Sequence, residues 1–69
     1  MDRLEEKLTE ILLRIKRGYY ITRFYDFYNV RQSSYTVHIV YTDGETVSIE
    51  RLTEIQKELI LNFLIGVTR

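Results

Sequence analysis

The side chains that could carry out catalysis are few in this sequence, and their spacing does not assemble a reaction centre. Ser33, Ser34 and Ser48 are possible nucleophiles, but His38 is the single histidine that could activate any of them. His38 falls on the polar side of a predicted strand, which favours an exposed strand histidine over a general base. The sequence contains no cysteine, so disulfides and thiolate metal ligands are excluded.

Acidic side chains are the remaining candidates for metal ligands or for an acid–base pair. Those to consider are Glu5, Glu6, Glu10, Glu45 and Glu50. The three in the first predicted helix lie among Arg3, Lys7 and Arg14, a mixture typical of a solvated helix surface with salt bridges. The three glycines are isolated from one another and form no phosphate-binding loop. The sequence therefore predicts a non-enzymatic protein that uses neither a metal nor another cofactor.

A segment rich in tyrosine and arginine is the most distinctive polar feature. It contains Tyr20, Arg23, Tyr25, Tyr28 and Arg31. A sheet that binds single-stranded nucleic acid needs rings to stack on bases and cations to contact phosphates, but the same residue types are enriched at protein interfaces. A third interpretation is a structural strand whose tyrosine hydroxyls reach the surface. The segment is a candidate surface for a protein or a nucleic acid, and zero net charge disfavours the latter.

The composition bounds the class of protein. We expect 69 residues to form one domain over residues 1–69, with a core so small that such chains often rely on oligomerisation. Ten basic and ten acidic residues balance, which argues against a general binder of nucleic acids or membrane surfaces. No apolar run is long enough to span a membrane, and residues 1–6 are too charged for a signal peptide. We therefore expect a cytoplasmic protein of a bacterial, archaeal or infected host cell.

Hydrophobic periodicity predicts two helices. Apolar residues at helical spacing predict an amphipathic helix over residues 3–17, and Gly18 suits the position just beyond its end. The core stripe of this helix is Leu4, Leu8, Ile11, Leu12 and Ile15, with Leu13 pointing away from it. Thr53 and Gln56 have the spacing of a capping box, which predicts a second helix over residues 54–65 that Gly66 should end.

Three strands are predicted between the helices, over residues 19–28, 34–42 and 45–50. The first has rings on both faces, which indicates a bulge or partial burial of each face. We predict an α+β fold of helix, three-stranded antiparallel β-meander and helix, with both helices packed on one sheet face.

The turn between the second and third strands can be predicted from the alternation of apolar residues. A two-residue loop would pair Ile39 with Ser48 and mix polar with apolar faces. A three-residue loop over residues 42–44 pairs Ile39 with Val47 and keeps the apolar face intact. We therefore predict the three-residue loop, with Gly44 in the left-handed conformation of a bulged turn.

The second helix carries apolar residues on nearly all sides. We predict that Ile55, Leu59 and Phe63 form its core stripe. The surplus would then be an interface, together with the outward residue of the first helix: Leu13, Ile60, Leu61, Leu64 and Ile65. The sequence thus predicts a protein-interaction module, either a homodimer built through this helix or a binder of another protein, with nucleic acid the less favoured partner.

The size and layout are similar to those of the small accessory proteins of phages and archaeal viruses. Some members of that group, the anti-CRISPR proteins, inhibit a host factor by occupying its binding surface. The resemblance implies inhibition by direct surface capture. Mimicry of DNA is not implied, because the chain has no net charge.

Overall fold

The computed structural model of the protein describes residues 3–68 and contains the predicted elements in the predicted order. They are α1 (Arg3–Lys16), β1 (Ile21–Asn29), β2 (Ser34–Tyr41), β3 (Thr46–Leu52) and α2 (Glu54–Val67). The strands form one antiparallel sheet in the order β1-β2-β3. Side chains of both helices enter one core on a single sheet face, so the predicted α+β fold is confirmed.

The core lies on the sheet face that carries the odd-numbered residues of β2. Val37, Ile39 and Tyr41 are buried there, beneath Ile11 of α1 and residues of α2. The even-numbered residues of β2 point to the other face, away from the core that α1 and α2 share; of these, Thr36 is buried and His38 and Val40 are partly buried. The sheet therefore has a covered face and an open face.

The first helix packs as predicted except at one position. Leu4, Leu8 and Ile15 are partly buried around Ile11, but Leu12 is about half exposed. Leu12 lies about 100° around the helix from Ile11, which places it on the flank of the buried stripe. The helix ends in a Schellman motif at Gly18, whose φ of 96° requires glycine. Here Tyr19 N–H donates to Arg14 C=O and Gly18 N–H donates to Ile15 C=O.

The β2–β3 hairpin has the predicted register and turn. Ile39 pairs with Val47 and Val37 with Ile49. The backbone N–H of Tyr41 donates to the carbonyl of Glu45 at 2.9 Å, which closes a three-residue loop. Gly44 has a φ of 88°, the left-handed conformation that the bulged turn requires. The three-residue loop prediction is confirmed.

Both outer strands contain an irregularity that adjusts which side chains face the core. In β1 the register shifts between Ile21 and Arg23, which agrees with a bulge, one of the two explanations that the sequence left open. In β3 the shift falls between the pairs Tyr35–Leu52 and Val37–Ile49, so two residues of β3 lie opposite one of β2. Arg51, with a φ of 58°, is one of the two. This bulge turns Leu52 onto the covered face, where it is buried.

The second helix begins as predicted but presents a different side to the core. Thr53 accepts from Gln56 N–H at 3.2 Å and Gln56 accepts from Thr53 N–H at 3.0 Å, so the capping box is confirmed. The predicted core stripe of Ile55, Leu59 and Phe63 is wrong, because Ile55 and Leu59 are exposed while Phe63 is only partly buried. The helix also continues through Gly66 to Val67.

Candidate interaction surfaces

The buried side of α2 consists of residues that the sequence predicted to be surplus. Ile60 and Leu64 are fully buried in the core, and Leu61 is partly buried against it. Their assignment to a free interface is therefore wrong for Ile60 and Leu64. Leu13 and Ile65 remain about half exposed, as an interface would require.

A sequence signal could have identified the correct side of α2. Glu54, Glu58 and Asn62 recur every four residues, so they mark one solvent-facing side of the helix. At about 100° per residue, Ile60 and Leu64 lie roughly opposite that polar side. Gln56 and Lys57 are also polar but are partly buried near the start of α2, so the row that continues along the helix, at 54, 58 and 62, is the one that marks the solvent side.

The outward side of α2 carries large apolar side chains. Ile55 is 74% exposed and Leu59 is 58% exposed, and Phe63 continues the row one turn later with partial burial. The three follow one another at intervals of four residues, so they form one stripe along the helix. This stripe extends from solvent towards the edge of the core.

The exposed stripe of α2 lies on the flank of that helix away from β1. Lys57, on the opposite flank of α2, reaches Asp26 of β1. On α1, Arg14 reaches Glu45 in the loop before β3, and Leu12 lies on the opposite flank of that helix. Leu12 and Leu13 are each about half exposed, and Leu13 borders a cleft with Arg14 and Tyr41.

We call this surface the outer helical face and define it by Leu12, Leu13, Ile55, Leu59 and Phe63. It combines two partly exposed leucines of α1 with the stripe of α2. Ile65 lies outside it, on the α2 flank nearer β1. Ile55 and Leu59 are the most exposed of these five residues, and clustered exposed apolar groups are typical of binding surfaces.

The second candidate surface is the open sheet face. Arg23, Tyr25 and Phe27 of β1 point to this side, and His38 of β2 lies directly opposite Tyr25. The centroids of the Tyr25 and Phe27 rings are 6.4 Å apart, and those of Tyr25 and His38 are 5.2 Å apart. His38 Nδ1 and Ser48 Oγ are 2.8 Å apart, so a hydrogen bond holds the imidazole in place. We call Tyr25, Phe27 and His38 the ring platform.

The structure divides the predicted Tyr/Arg surface between two sides of the sheet. Tyr28 points to the covered side, where its ring meets Tyr35 edge-on at 5.0 Å. Tyr20 precedes β1 and is exposed, and Arg31 is exposed in the turn after it. Arg23 and Tyr25 do share a face, as predicted. Phe27 and His38 join them there and were missed, because the hypothesis considered only tyrosine and arginine.

A charged cluster closes one end of the covered face. Arg14 donates to Glu45 Oε2 at 2.8 Å, and its guanidinium carbon lies 4.6 Å from the centre of the Tyr41 ring. Burial raises the pKa of Tyr41 above its usual value of 10.0, a shift that the positive charge of Arg14 opposes and Glu10 reinforces. Arg14 thus covers the core with its side chain and holds the hairpin to α1.

Residues 3–68 contain neither a cluster of metal ligands nor a membrane-spanning helix. Within that range, no three acidic or histidine side chains lie close enough together to bind a metal ion. Neither α1 nor α2 has the length and apolar character needed to cross a membrane. The comparisons with known proteins are also negative: no family model, curated protein or solved structure matches this chain.

Proposed function

We propose that this protein is a non-enzymatic protein–protein interaction module that forms a homodimer through the outer helical face. The observation that carries the proposal is the exposure of Ile55 and Leu59 in one stripe. Fully burying a leucine or isoleucine side chain contributes about 1.5–3 kcal/mol. Burying these residues against a second copy, together with Leu12 and Leu13, would contribute several kcal/mol to association.

The small size of the core supports an association, because domains of this length are often supplemented by oligomerisation.

The distribution of charge on the helical layer favours a second copy as the occupant. Lys16 and Arg17 are exposed at the end of α1, and Glu54 and Glu58 are exposed at the start of α2. In a twofold-symmetric dimer, the end of α1 in each copy could lie against the start of α2 in the other copy. The basic side chains of α1 would then contact the acidic side chains of α2 at two equivalent places. An isologous interface requires such self-complementarity.

The test is sedimentation velocity over a range of concentrations, comparing the wild-type chain with Ile55→Glu. Ile55 lies in the first turn of α2, where the helix dipole favours a carboxylate, so the substitution should leave the fold intact. We expect a wild-type dimer in the micromolar range and a folded Ile55→Glu monomer. Circular dichroism checks the fold of the variant.

Val30→Glu is the matched control. Val30 is 78% exposed in the β1–β2 turn, outside the outer helical face, so this variant should dimerise like the wild type. A wild-type chain that stays monomeric at high micromolar concentration would contradict the proposal. Equal loss of dimer in both variants would also contradict it, because the effect would then reflect added charge and not position.

A further inference from the structure

The open sheet face carries cations and rings in a line along β1. Arg23, Tyr25 and Phe27 follow one another on this face, and Arg31 lies in the turn beyond the strand. We propose that this line binds single-stranded nucleic acid, with Tyr25 and Phe27 stacking on successive bases and Arg23 and Arg31 contacting phosphates on either side of them. This site is separate from the outer helical face and does not depend on dimerisation.

The rings have the accessibility and spacing that base stacking requires. Tyr25 and Phe27 are 46% and 47% exposed, so a large part of each ring is available to a ligand. Their centroids are 6.4 Å apart with planes tilted by 33°, almost twice the rise of about 3.4 Å per nucleotide along each strand of a duplex. Bases that stack on both rings must therefore be separated from each other, as in an extended single strand and not in a duplex.

The third ring is held in a defined position. His38 is fixed against Tyr25 by its hydrogen bond to Ser48. Because Ser48 engages Nδ1, Nε2 is the ring nitrogen left for a base edge or a phosphate. An immobilised ring loses little entropy on binding, which favours a preorganised platform.

The charges along β1 suit a phosphate backbone. Asp26, the acidic residue of β1, points to the covered side and pairs with Lys57 at 3.8 Å. Glu50 shares the open face but lies on β3, which β2 separates from β1. Within residues 3–68, Arg23 makes no ion pair, so its guanidinium is available to a phosphate. The β1 edge of the open face therefore presents a cation with no acidic side chain beside it on the same strand face.

The backbone of the turn that carries Arg31 is held by hydrogen bonds. The side-chain oxygen of Asn29 accepts hydrogen bonds from the backbone N–H groups of Arg31 and Gln32, at 3.1 and 3.4 Å. These bonds hold the turn at the end of β1 nearest Phe27. The cation–ring–ring–cation order along the strand therefore fits a segment of a few nucleotides with phosphates at each end.

The test measures fluorescence anisotropy of a labelled deoxythymidine oligonucleotide, and of a mixed-sequence duplex, at low salt, where the phosphate contribution is largest. We expect the wild type to bind the single strand more tightly than the duplex. Tyr25→Ala should weaken single-strand binding by about fivefold or more, the lower end of the range for losing one base–aromatic stack. Arg23→Gln should lower the slope of log affinity against log salt by about 0.7.

Tyr28→Ala is the matched control for the ring platform. Tyr28 is 50% exposed on the same strand but points to the opposite side, so its removal should leave the affinity unchanged. Absence of single-strand binding at low salt would overturn the proposal, as would equal losses in Tyr25→Ala and Tyr28→Ala. Preferential binding of the duplex would overturn it as well.

Discussion

The two faces of the sheet differ in how much of their apolar surface the fold uses. On the covered face, Val37, Ile39 and Tyr41 are buried beneath two helices. On the open face, Tyr25 and Phe27 remain about half exposed although they are large rings on a nine-residue strand. Burial on one side stabilises the fold, whereas the half-exposed rings on the other side contribute less to it. We therefore expect substitutions in the covered layer to change the free energy of unfolding strongly and substitutions on the exposed surfaces to change it little.

The largest effect is expected for Leu64→Ala, in the helix that covers the sheet. Leu64 is fully buried, and truncating a buried leucine leaves a cavity that costs about 2–5 kcal/mol in the free energy of unfolding. Leu59→Ala, on the exposed side of the same helix, should cost below about 0.5 kcal/mol. Urea denaturation of both variants in the monomeric Ile55→Glu background checks this, and equal costs would contradict the assigned burial.

The same two leucines show where sequence reasoning succeeds and where it fails. The helix and its capping box were predictable because Thr53 and Gln56 act locally. The buried side of α2 was not predicted, because apolar residues surround the helix and the choice depends on how it packs against β2 and β3. The row of polar residues at positions 54, 58 and 62 marks the solvent-facing side of α2, but the prediction considered apolar residues alone.

The strands show a similar division. The β2–β3 loop was predictable because alternation, Gly44 and pairing all favoured one register. The bulge at Arg51 was not, since arginine gives no sign of a left-handed backbone and the bulge is required only to turn Leu52 inward. For the sites, the sequence identified Arg23 and Tyr25, whereas His38 joined them only through strand pairing across the sheet.

The next largest effect is expected for Tyr41, at the edge of the covered face, and concerns how stability depends on pH. Burial raises its pKa above 10.0, so the folded state holds the phenolic proton more tightly than the unfolded state. That stabilisation is complete below pH 10 and is lost as pH rises through the higher folded-state pKa. We expect the free energy of unfolding to fall above pH 10 in the wild type and to fall less in Tyr41→Phe. Denaturation curves at several alkaline pH values measure this difference.

Tyr20→Phe provides the control for the alkaline experiment. Tyr20 is 60% exposed, so Tyr20→Phe removes a phenol hydroxyl that lies outside the core. If Tyr41→Phe loses stability with rising pH as steeply as the wild type, the raised pKa of Tyr41 does not explain the alkaline transition.

A smaller effect, of opposite sign, is expected at the bulge that turns Leu52 towards the covered face. A left-handed backbone costs a non-glycine residue about 1–2 kcal/mol, and glycine adds about 0.5–1 kcal/mol of unfolded-state entropy. Arg51→Gly should therefore raise the free energy of unfolding by about 0.5 kcal/mol, the difference between these terms. Arg51→Ala keeps the strain and should show no gain. Thermal and urea denaturation compare the pair, and a gain in the alanine variant would contradict the explanation.

The smallest effect on the free energy of unfolding is expected on the open face. A large effect there would contradict the difference between the two faces. Tyr25 contacts its neighbours through the rings of Phe27 and His38, and a cross-strand pair of this kind contributes about 0.2–1 kcal/mol. Tyr25→Thr keeps a residue suited to a strand, so the free energy of unfolding should fall by about 0.5 kcal/mol or less. A loss of about 2 kcal/mol or more would mean that the ring platform supports the fold as the covered face does. A small loss would show that the fold does not depend on the Tyr25 ring, as the proposed stacking on a ligand requires.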